Sequence, residues 1–262
     1  MALAIRAALA GASIGLSYFD RVGALDQDQK ADGSIVTEAD LAVEREVRRV
    51  IATARPSDAF IGEETGVAGS SNRRWILDGI DGTLVFVLGD DRWQSLIALE
   101  IDGLVEVGVA IVPSQAEVWF AQRGAGAFRQ SFDSSGLIGE AKQLRTSGRT
   151  SLNGCEAGYL PPLHMVPRGV FAEVAPLLDR TAPSDWSAHA ALLVASGDLD
   201  AAIQVGGKLW DYAPLGLIVT ETAGAFSGAD GTTHPVEGAG LFAATNELLD
   251  AVRFAIADAH QR

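Results

Sequence analysis

Two aspartates, Asp78 and Asp81, carry the strongest chemical signal in the chain. They follow the apolar run 75–77 and alternate with Gly79 and Gly82. The apolar run predicts the end of a buried strand, where the chain breaks into a turn, and the glycines allow the backbone to approach a ligand closely. Carboxylates beside open backbone amides suit a hard cation that also holds a phosphate. The stretch therefore predicts phosphate chemistry.

Two further acids, Glu63 and Asp211, stand where a strand is expected to end and a helix to begin. Side chains at such positions can converge on one crevice at the edge of a sheet. Acidic oxygen ligands without nearby His or Cys favour magnesium or manganese over zinc. For Asp78 and Asp81 together, metal binding outweighs a solvated turn. Taken singly, Glu63 and Asp211 are more typical of a strand-end charge and a helix cap.

The remaining motifs indicate structural roles, and several common functional motifs are absent from the sequence. An EF-hand is a poor match at Asp78, and the sequence has no P-loop, no G-x-S-x-G elbow and no zinc-type Cys/His spacing. Thr37 and Asp40 have the spacing of a capping box, and Thr83 is equally compatible with a plain helix N-cap. The four histidines share no ligand spacing and are expected to be structural or surface residues: His164, His189, His234 and His260.

Composition limits the partners. The formal net charge of −14 argues against binding to nucleic acid or an anionic membrane. An acidic protein suits an anionic substrate only where bound cations make the local electrostatic potential positive. A single cysteine, Cys155, excludes an intramolecular disulfide, so a reducing, cytoplasmic location is expected. Residues 1–19 predict an amphipathic helix rather than a cleaved leader, and no uncharged apolar run is long enough to span a bilayer.

The predicted elements divide the chain into two halves, 1–138 and 139–262. The first half has helices at its N-terminus and after Thr37, a strand that delivers Glu63, and an antiparallel meander with an Asp102-Gly103 hairpin turn. The second half alternates helices and strands. Its predicted helices cover residues 167–178, 187–196 and 211–223, its strands cover 199–205 and 241–245, and Asn246 is expected to cap a terminal helix.

Taken together, these segments resemble the inositol monophosphatase family of metal-dependent phosphatases. Residues 75–83 match its W-I-x-D-P-I-D-G-T signature, with Gly79 in the proline position. Residues 210–213 and 221–224 match W-D-x-A…E-A-G-G. Residues 60–64, 30–40 and 124–128 match further elements, all in family order.

The resemblance implies a layered α/β/α/β/α sugar-phosphatase fold, a small phosphate ester as substrate, two or three Mg²⁺ ions, inhibition by lithium and a homodimer. The implied metal ligands are Glu63, Asp78 and the Ile80 carbonyl for one ion, Asp78, Asp81 and Asp211 for a second, and Glu63 again for a third. The Gly82 and Thr83 amides would bind phosphate, with Asp211 and Gln204 at the substrate. Thr83 and Asp40 would orient and deprotonate the attacking water.

Four positions depart from the family pattern: Gly79, Leu84, Val85 and Gln204. We interpret them as changes in specificity or modest activity, with Gly79 making the metal loop less rigid. Residues 93–99 and 210–215 resemble the histidinol-phosphatase branch. Gln204 weakens that assignment, because a neutral amide attracts an amino group less than a carboxylate does. Inositol phosphate is an equal contender, and a non-catalytic metal- or phosphate-binding protein is the alternative from another class.

Overall fold

The computed structural model describes residues 1–30, 35–165 and 175–259. The chain divides into two compact units, Met1–Lys142 and Gln143–Arg262. Each unit combines helices with a sheet, in keeping with the α/β class expected from sequence. The domain boundary expected after residue 138 falls inside a strand, Gly136–Gln143, and stays a prediction.

Among its described residues, the first unit contains an eight-stranded sheet, a two-stranded sheet and three α-helices. The helices are α1 (Ala2–Phe19), α2 (Glu38–Ala54) and α3 (Thr83–Val87), and the small sheet pairs β1 (Gln27–Gln29) with β2 (Ile35–Thr37). The large sheet has the order β10-β9-β8-β7-β6-β5-β3-β4. Its strands are β3 (Ala59–Gly62), β4 (Gly66–Ala68), β5 (Arg73–Asp81), β6 (Gln94–Ile101), β7 (Leu104–Val112), β8 (Glu117–Gln122), β9 (Gly126–Asp133) and β10 (Gly136–Gln143). The predicted meander is confirmed, and β10 extends it beyond the prediction.

Helix α1 packs closely in the core of this unit. A Cβ on Gly11 would lie 2.7 Å from Val47 Cγ2 of α2, and one on Gly15 would lie 2.5 Å from the Trp93 ring. Glycine at both positions lets α1 approach its neighbours, and four of its alanines are buried in the same core: Ala4, Ala7, Ala8 and Ala12. By length and composition alone α1 is long and apolar enough to cross a membrane, contrary to the expectation that no apolar run reaches that length. Its residues pack in the hydrophobic core of this unit, which gives it a core role.

Strand β5 differs from its prediction. It does not turn after Leu77 but continues to Asp81, with an irregularity in its pairing with β6. Asp78 pairs with Leu96 and Asp81 pairs with Gln94, so three steps along β5 oppose two along β6. Side chains three apart in a regular strand point to opposite faces, and one extra residue in a bulge cancels that alternation. The bulge therefore places Asp78 and Asp81 on the same face.

The second unit has a five-stranded mixed sheet in the order β12-β11-β13-β15-β14. Its strands are β11 (Cys155–Leu160), β12 (Thr181–Pro183), β13 (Ala201–Gln204), β14 (Ala225–Gly228) and β15 (Gly240–Ala243). Besides the helical residues 175–178, the described part of this unit contains the helices α4 (Ala190–Ser196), α5 (Leu209–Thr220) and α6 (Asn246–Ala259). Strand β11 pairs in parallel with β12 and β13, whereas β15 is antiparallel to β13 and β14.

Several boundaries in this unit differ from expectation. Most of the helix predicted over 167–178 lies outside the described residues, and 175–178 are helical. Helix α4 begins later than predicted, because His189 Nδ1 accepts a hydrogen bond from the Ala191 amide and caps it. Burial lowers the pKa of His189 to about 3, so the ring is a neutral cap. The expected Asn246 cap is wrong, since Thr245 Oγ1 accepts from the Leu248 amide instead.

Candidate active site

Asp40 and Thr83 meet directly in the first unit. Thr83 Oγ1 donates a hydrogen bond to Asp40 Oδ1 at 2.8 Å, although the two residues lie 43 positions apart. Thr83 is the first residue of α3, and Gly82, in the left-handed region with φ of 83°, occupies the N-cap position. The expectation that Thr83 is a plain N-cap is therefore wrong. Its hydroxyl is directed to a carboxylate instead.

The capping box at the start of α2 is also present. Asp40 Oδ2 accepts hydrogen bonds from the Thr37 amide at 2.8 Å and the Thr37 hydroxyl at 2.7 Å. Thr37 Oγ1 in turn accepts from the Ala39 amide at 3.2 Å. Asp40 is only 2 % exposed. One carboxylate thus uses one oxygen to start the helix and the other to hold Thr83.

Gly79 brings α2 against β5 at this point. A Cβ at Gly79 would collide with the Asp40 carbonyl oxygen and would lie 3.1 Å from the Glu44 amide nitrogen. On the other side, the Ser95 hydroxyl donates to the Gly79 carbonyl at 2.6 Å. Sequence interpretation assigned Gly79 to a less rigid loop. The structure gives it a packing role, because only a residue without a side chain allows this approach.

Three acids of the first unit form a cluster: Asp78 and Asp81 on β5, and Glu63, which directly follows β3 and interacts with both. Asp78 and Asp81 each offer a carboxylate oxygen, and these oxygens lie within 4.8 Å of each other. Burial raises the pKa of Asp81. Burial also raises the pKa of Glu63, with a smaller contribution from the charge of Asp81, and the ion pair with Lys30 only partly opposes this. Carboxylates crowded in a buried place disfavour their own ionised form, and a divalent cation reverses that preference. The oxygen-only ligand set fits a hard cation.

Backbone groups expected at the site lie around the same turn. The Ile80 carbonyl oxygen, an expected metal ligand, is 3.2 Å from Thr83 Oγ1. A hydrogen bond from the Gly82 backbone contributes to lowering the pKa of Asp81, against the larger effect of burial. The Gly82 amide, expected to bind phosphate, therefore also stabilises a neighbouring carboxylate.

Sequence reasoning missed two charged residues, one that contacts Glu63 and one that contacts the two residues after it. Lys30 Nζ lies 2.6 Å from Glu63 Oε1 and also forms an ion pair with Glu64. The fully buried Glu44 carboxylate accepts from the amides of Glu64 and Thr65, both at 2.9 Å, and from the Thr65 hydroxyl. Glu44 follows Asp40 by four residues on α2, so their shared helix face was a signal that could have identified it.

Gln94 was also missed. Its Nε2 donates to Asp81 Oδ2 at 2.7 Å, and the residue is 1 % exposed. Its Oε1 is buried and has no hydrogen-bond partner within residues 1–30, 35–165 and 175–259. No sequence pattern identifies this contact, because it depends on the register of β5 against β6.

Asp211 and Gln204 belong to the second unit. Asp211 is the third residue of α5, which begins two residues earlier than predicted, and its Oδ2 accepts from the Lys208 amide at 2.6 Å. Gln204 ends β13, is 7 % exposed, and its buried Oε1 has no partner in the described part of the chain. Their assembly with the acids of the first unit stays a prediction.

The arrangement of acids, capping box and glycine turn matches a known family over the full chain. The model of the inositol monophosphatase family matches residues 1–262. The chain belongs to the inositol monophosphatase family. The family resemblance inferred from the motifs is confirmed, and so is the fold class. Members of this family are metal-dependent phosphatases, and the acidic cluster is a place where this member could bind metal.

Individual relatives are similar over most of their length. A Streptomyces griseus protein named glucose-1-phosphate thymidylyltransferase is 39 % identical over 202 residues, covering 74 % of this chain and 73 % of its own. Histidinol-phosphatase of Mycobacterium tuberculosis is 36 % identical over 236 residues, 87 % of each chain. Inositol-1-monophosphatase of Mesorhizobium japonicum is 32 % identical over 242 residues, 88 % of this chain and 85 % of its own.

A solved structure agrees with the fold. The extragenic suppressor protein suhB of Bartonella henselae has a TM-score of 0.82 at 24 % identity, covering 98 % of this chain and 97 % of its own. The family match and the phosphatase relatives identify this inositol monophosphatase family member as a phosphomonoesterase, as the motifs predicted.

Proposed function

We propose that the protein is a Mg²⁺-dependent phosphomonoesterase that hydrolyses a small polar alcohol phosphate. The observation that carries the proposal is the hydrogen bond from Thr83 to Asp40, at the end of the strand that presents Asp78 and Asp81. A metal- or phosphate-binding protein without catalysis needs no hydroxyl–carboxylate pair to activate water. This pair therefore favours turnover over simple binding.

Glu63, Asp78, Asp81, the Ile80 carbonyl and Asp211 are proposed to hold two or three Mg²⁺ ions, with Mn²⁺ as a substitute. Bound ions of this type offset the charge of a phosphate, acidify water and stabilise the leaving oxygen. The protein needs them because its own charge of −14 repels a phosphate dianion. The ligand set, all oxygen and partly buried, supports this assignment.

Thr83 is proposed to position the attacking water. Since its hydrogen is donated to Asp40 Oδ1, its oxygen lone pairs remain to accept a hydrogen from water. As the water oxygen bonds to phosphorus, its proton passes to Thr83 Oγ1 while the Thr83 proton passes to Asp40. The bond from phosphorus to the alcohol oxygen breaks, that oxygen takes a proton from solvent water, and Asp40 returns its proton to solvent. The amides of Gly82 and Thr83 are proposed to hold the phosphate oxygens.

Histidinol phosphate and inositol monophosphate are the two proposed substrates. Relatives named for each compound are 36 % and 32 % identical to this chain. Gln204, proposed to face the substrate together with Asp211, is neutral and offers a carbonyl oxygen to a hydroxyl or amino group. We also propose a cytoplasmic homodimer that lithium inhibits, as the family resemblance and the single cysteine suggest.

The test is release of inorganic phosphate from a panel of esters, each with Mg²⁺ and with excess chelator. The panel contains inositol 1-phosphate, histidinol phosphate and fructose bisphosphate, with glucose 1-phosphate added because of the Streptomyces griseus relative. We expect turnover with one of the first two compounds, loss of activity in chelator and inhibition by lithium. Mg²⁺ binding without phosphate release from any ester would favour the non-catalytic alternative, and full activity in chelator would contradict metal dependence.

A further inference from the structure

Gln94 contacts the acidic cluster through a side chain that is almost fully buried. Its amide nitrogen donates to Asp81 Oδ2 at 2.7 Å. Its carbonyl oxygen is buried yet accepts no hydrogen bond from any described residue. A buried polar atom without a partner is unfavourable, and in native proteins it commonly marks a place for a water or an ion.

The bulge in β5 creates this contact. In a regular ladder Asp81 would lie opposite Trp93, one residue before Gln94, whereas the register shift pairs Asp81 with Gln94. Directly paired residues on neighbouring antiparallel strands have Cβ atoms about 5 Å apart, close enough for a Gln and an Asp to bond. The extra residue that aligns the two aspartates also places an amide beside the second one.

The Gln94 amide offers a hydrogen-bond donor to the Asp81 carboxylate and a hydrogen-bond acceptor to a neighbouring water. A donor on Oδ2 restricts the rotation of the Asp81 side chain and uses only one of its two carboxylate oxygens. An acceptor next to it suits one of the several waters that Mg²⁺ keeps in protein sites. A carboxylate in the position of Gln94 would add a fourth negative charge to the cluster, and an apolar residue would leave Oδ2 without this donor.

We propose that Gln94 is the positioning residue of Asp81, holding its carboxylate for the cation with Nε2 and accepting a hydrogen bond from water with Oε1. This inference rests on the proposed metal-dependent function and assigns a further residue to it. Residues that orient metal ligands typically change metal affinity about 10-fold to 100-fold when they are replaced.

The test is Mg²⁺ binding to the purified full-length protein by isothermal titration calorimetry, with no substrate present. We expect Gln94→Leu, which removes donor and acceptor, to raise the Mg²⁺ dissociation constant about 10-fold or more. Gln130→Leu is the matched control, because that amide donates to the Gly139 carbonyl on β10 and is expected to leave the constant unchanged. Thermal unfolding in chelator checks that both variants are folded.

Gln94→Glu separates positioning from packing. It keeps the size of the side chain and an acceptor oxygen, but it replaces the donor and adds a buried charge beside Asp81, so we expect a changed Mg²⁺ dissociation constant and a less stable apo protein. A wild-type constant in a folded Gln94→Leu protein would overturn the proposal. If Gln94→Leu does not fold, a wild-type constant in Gln94→Glu would overturn it equally. Absence of Mg²⁺ binding in the unmodified protein would instead contradict the proposed function itself.

Discussion

Asp40 shows how one residue can satisfy two interpretations that compete in the sequence. The capping-box spacing accounts for Asp40 without any chemistry, and the family resemblance gives it a catalytic partner. In the structure the two carboxylate oxygens divide the roles, Oδ2 bonding to Thr37 and Oδ1 to Thr83. The capping bonds also restrict the rotation of the carboxylate, so the contact with Thr83 is held by the start of the helix.

Replacing the Thr83 hydroxyl should therefore reduce catalysis with little change to metal binding. Thr83→Val keeps the shape of the side chain but removes the group that links water to Asp40. We expect kcat to fall about 100-fold or more, the range for loss of acid–base assistance. Thr83→Ser, which retains the hydroxyl, is the control and should keep most of the activity. Turnover near wild type in Thr83→Val, measured as phosphate release, would contradict the assigned role.

At the scale of elements, the site depends on how α2 meets β5. The bulge in β5 aligns Asp78 with Asp81, and Gly79 within it allows the first turn of α2 to lie directly on the strand. Glu44, one turn further along α2, accepts hydrogen bonds from the amides of Glu64 and Thr65. Helix α2 thus positions Asp40 against Thr83 and fixes the segment that carries Glu63.

Gly79→Ala should disturb this junction. The new methyl group would meet the Asp40 carbonyl and the Glu44 amide, which are backbone atoms and cannot rotate away. We expect a loss of about 1–3 kcal/mol in the free energy of unfolding, as for other overpacked sites. We also expect a lower kcat, because the displacement of Asp40 would weaken its hydrogen bond with Thr83. Chemical denaturation and phosphate release measure the two effects.

Gly23→Ala is the matched control for this substitution. A Cβ at Gly23 meets no atom within 4 Å, and we expect a change of about 0.5 kcal/mol or less. Equal stability of Gly79→Ala and Gly23→Ala would show that the close approach of α2 does not require glycine.

For the molecule as a whole, the proposed function would require metal ligands from both units. Asp78 and Asp81 lie in Met1–Lys142, and Asp211 lies in Gln143–Arg262. The proposal requires that acids from both units serve the same ions. Within its own unit, Asp211 already has a structural role, since its carboxylate accepts from the Lys208 amide at the start of α5.

Asp81→Asn and Asp211→Asn should therefore have the same consequence. Each removes one negative ligand while keeping the size of the side chain, and metal stabilisation is worth several kcal/mol, so kcat should fall about 100-fold or more. Both variants should remain folded by circular dichroism and thermal unfolding. Asp133→Asn, at an exposed turn, is the control with full activity. Normal turnover in Asp211→Asn alone would exclude the second unit from the metal site.

Features that depend on local spacing are readable from the amino-acid sequence. The capping box at Thr37, the hairpin at Asp102-Gly103 and the apolar strand before Asp78 are set by neighbouring residues, and the order of the motifs identified the family. The contacts of Lys30, Glu44 and Gln94 become visible only in the folded protein. These contacts depend on strand register and on the distance between elements, and both arise from packing between segments far apart in the chain.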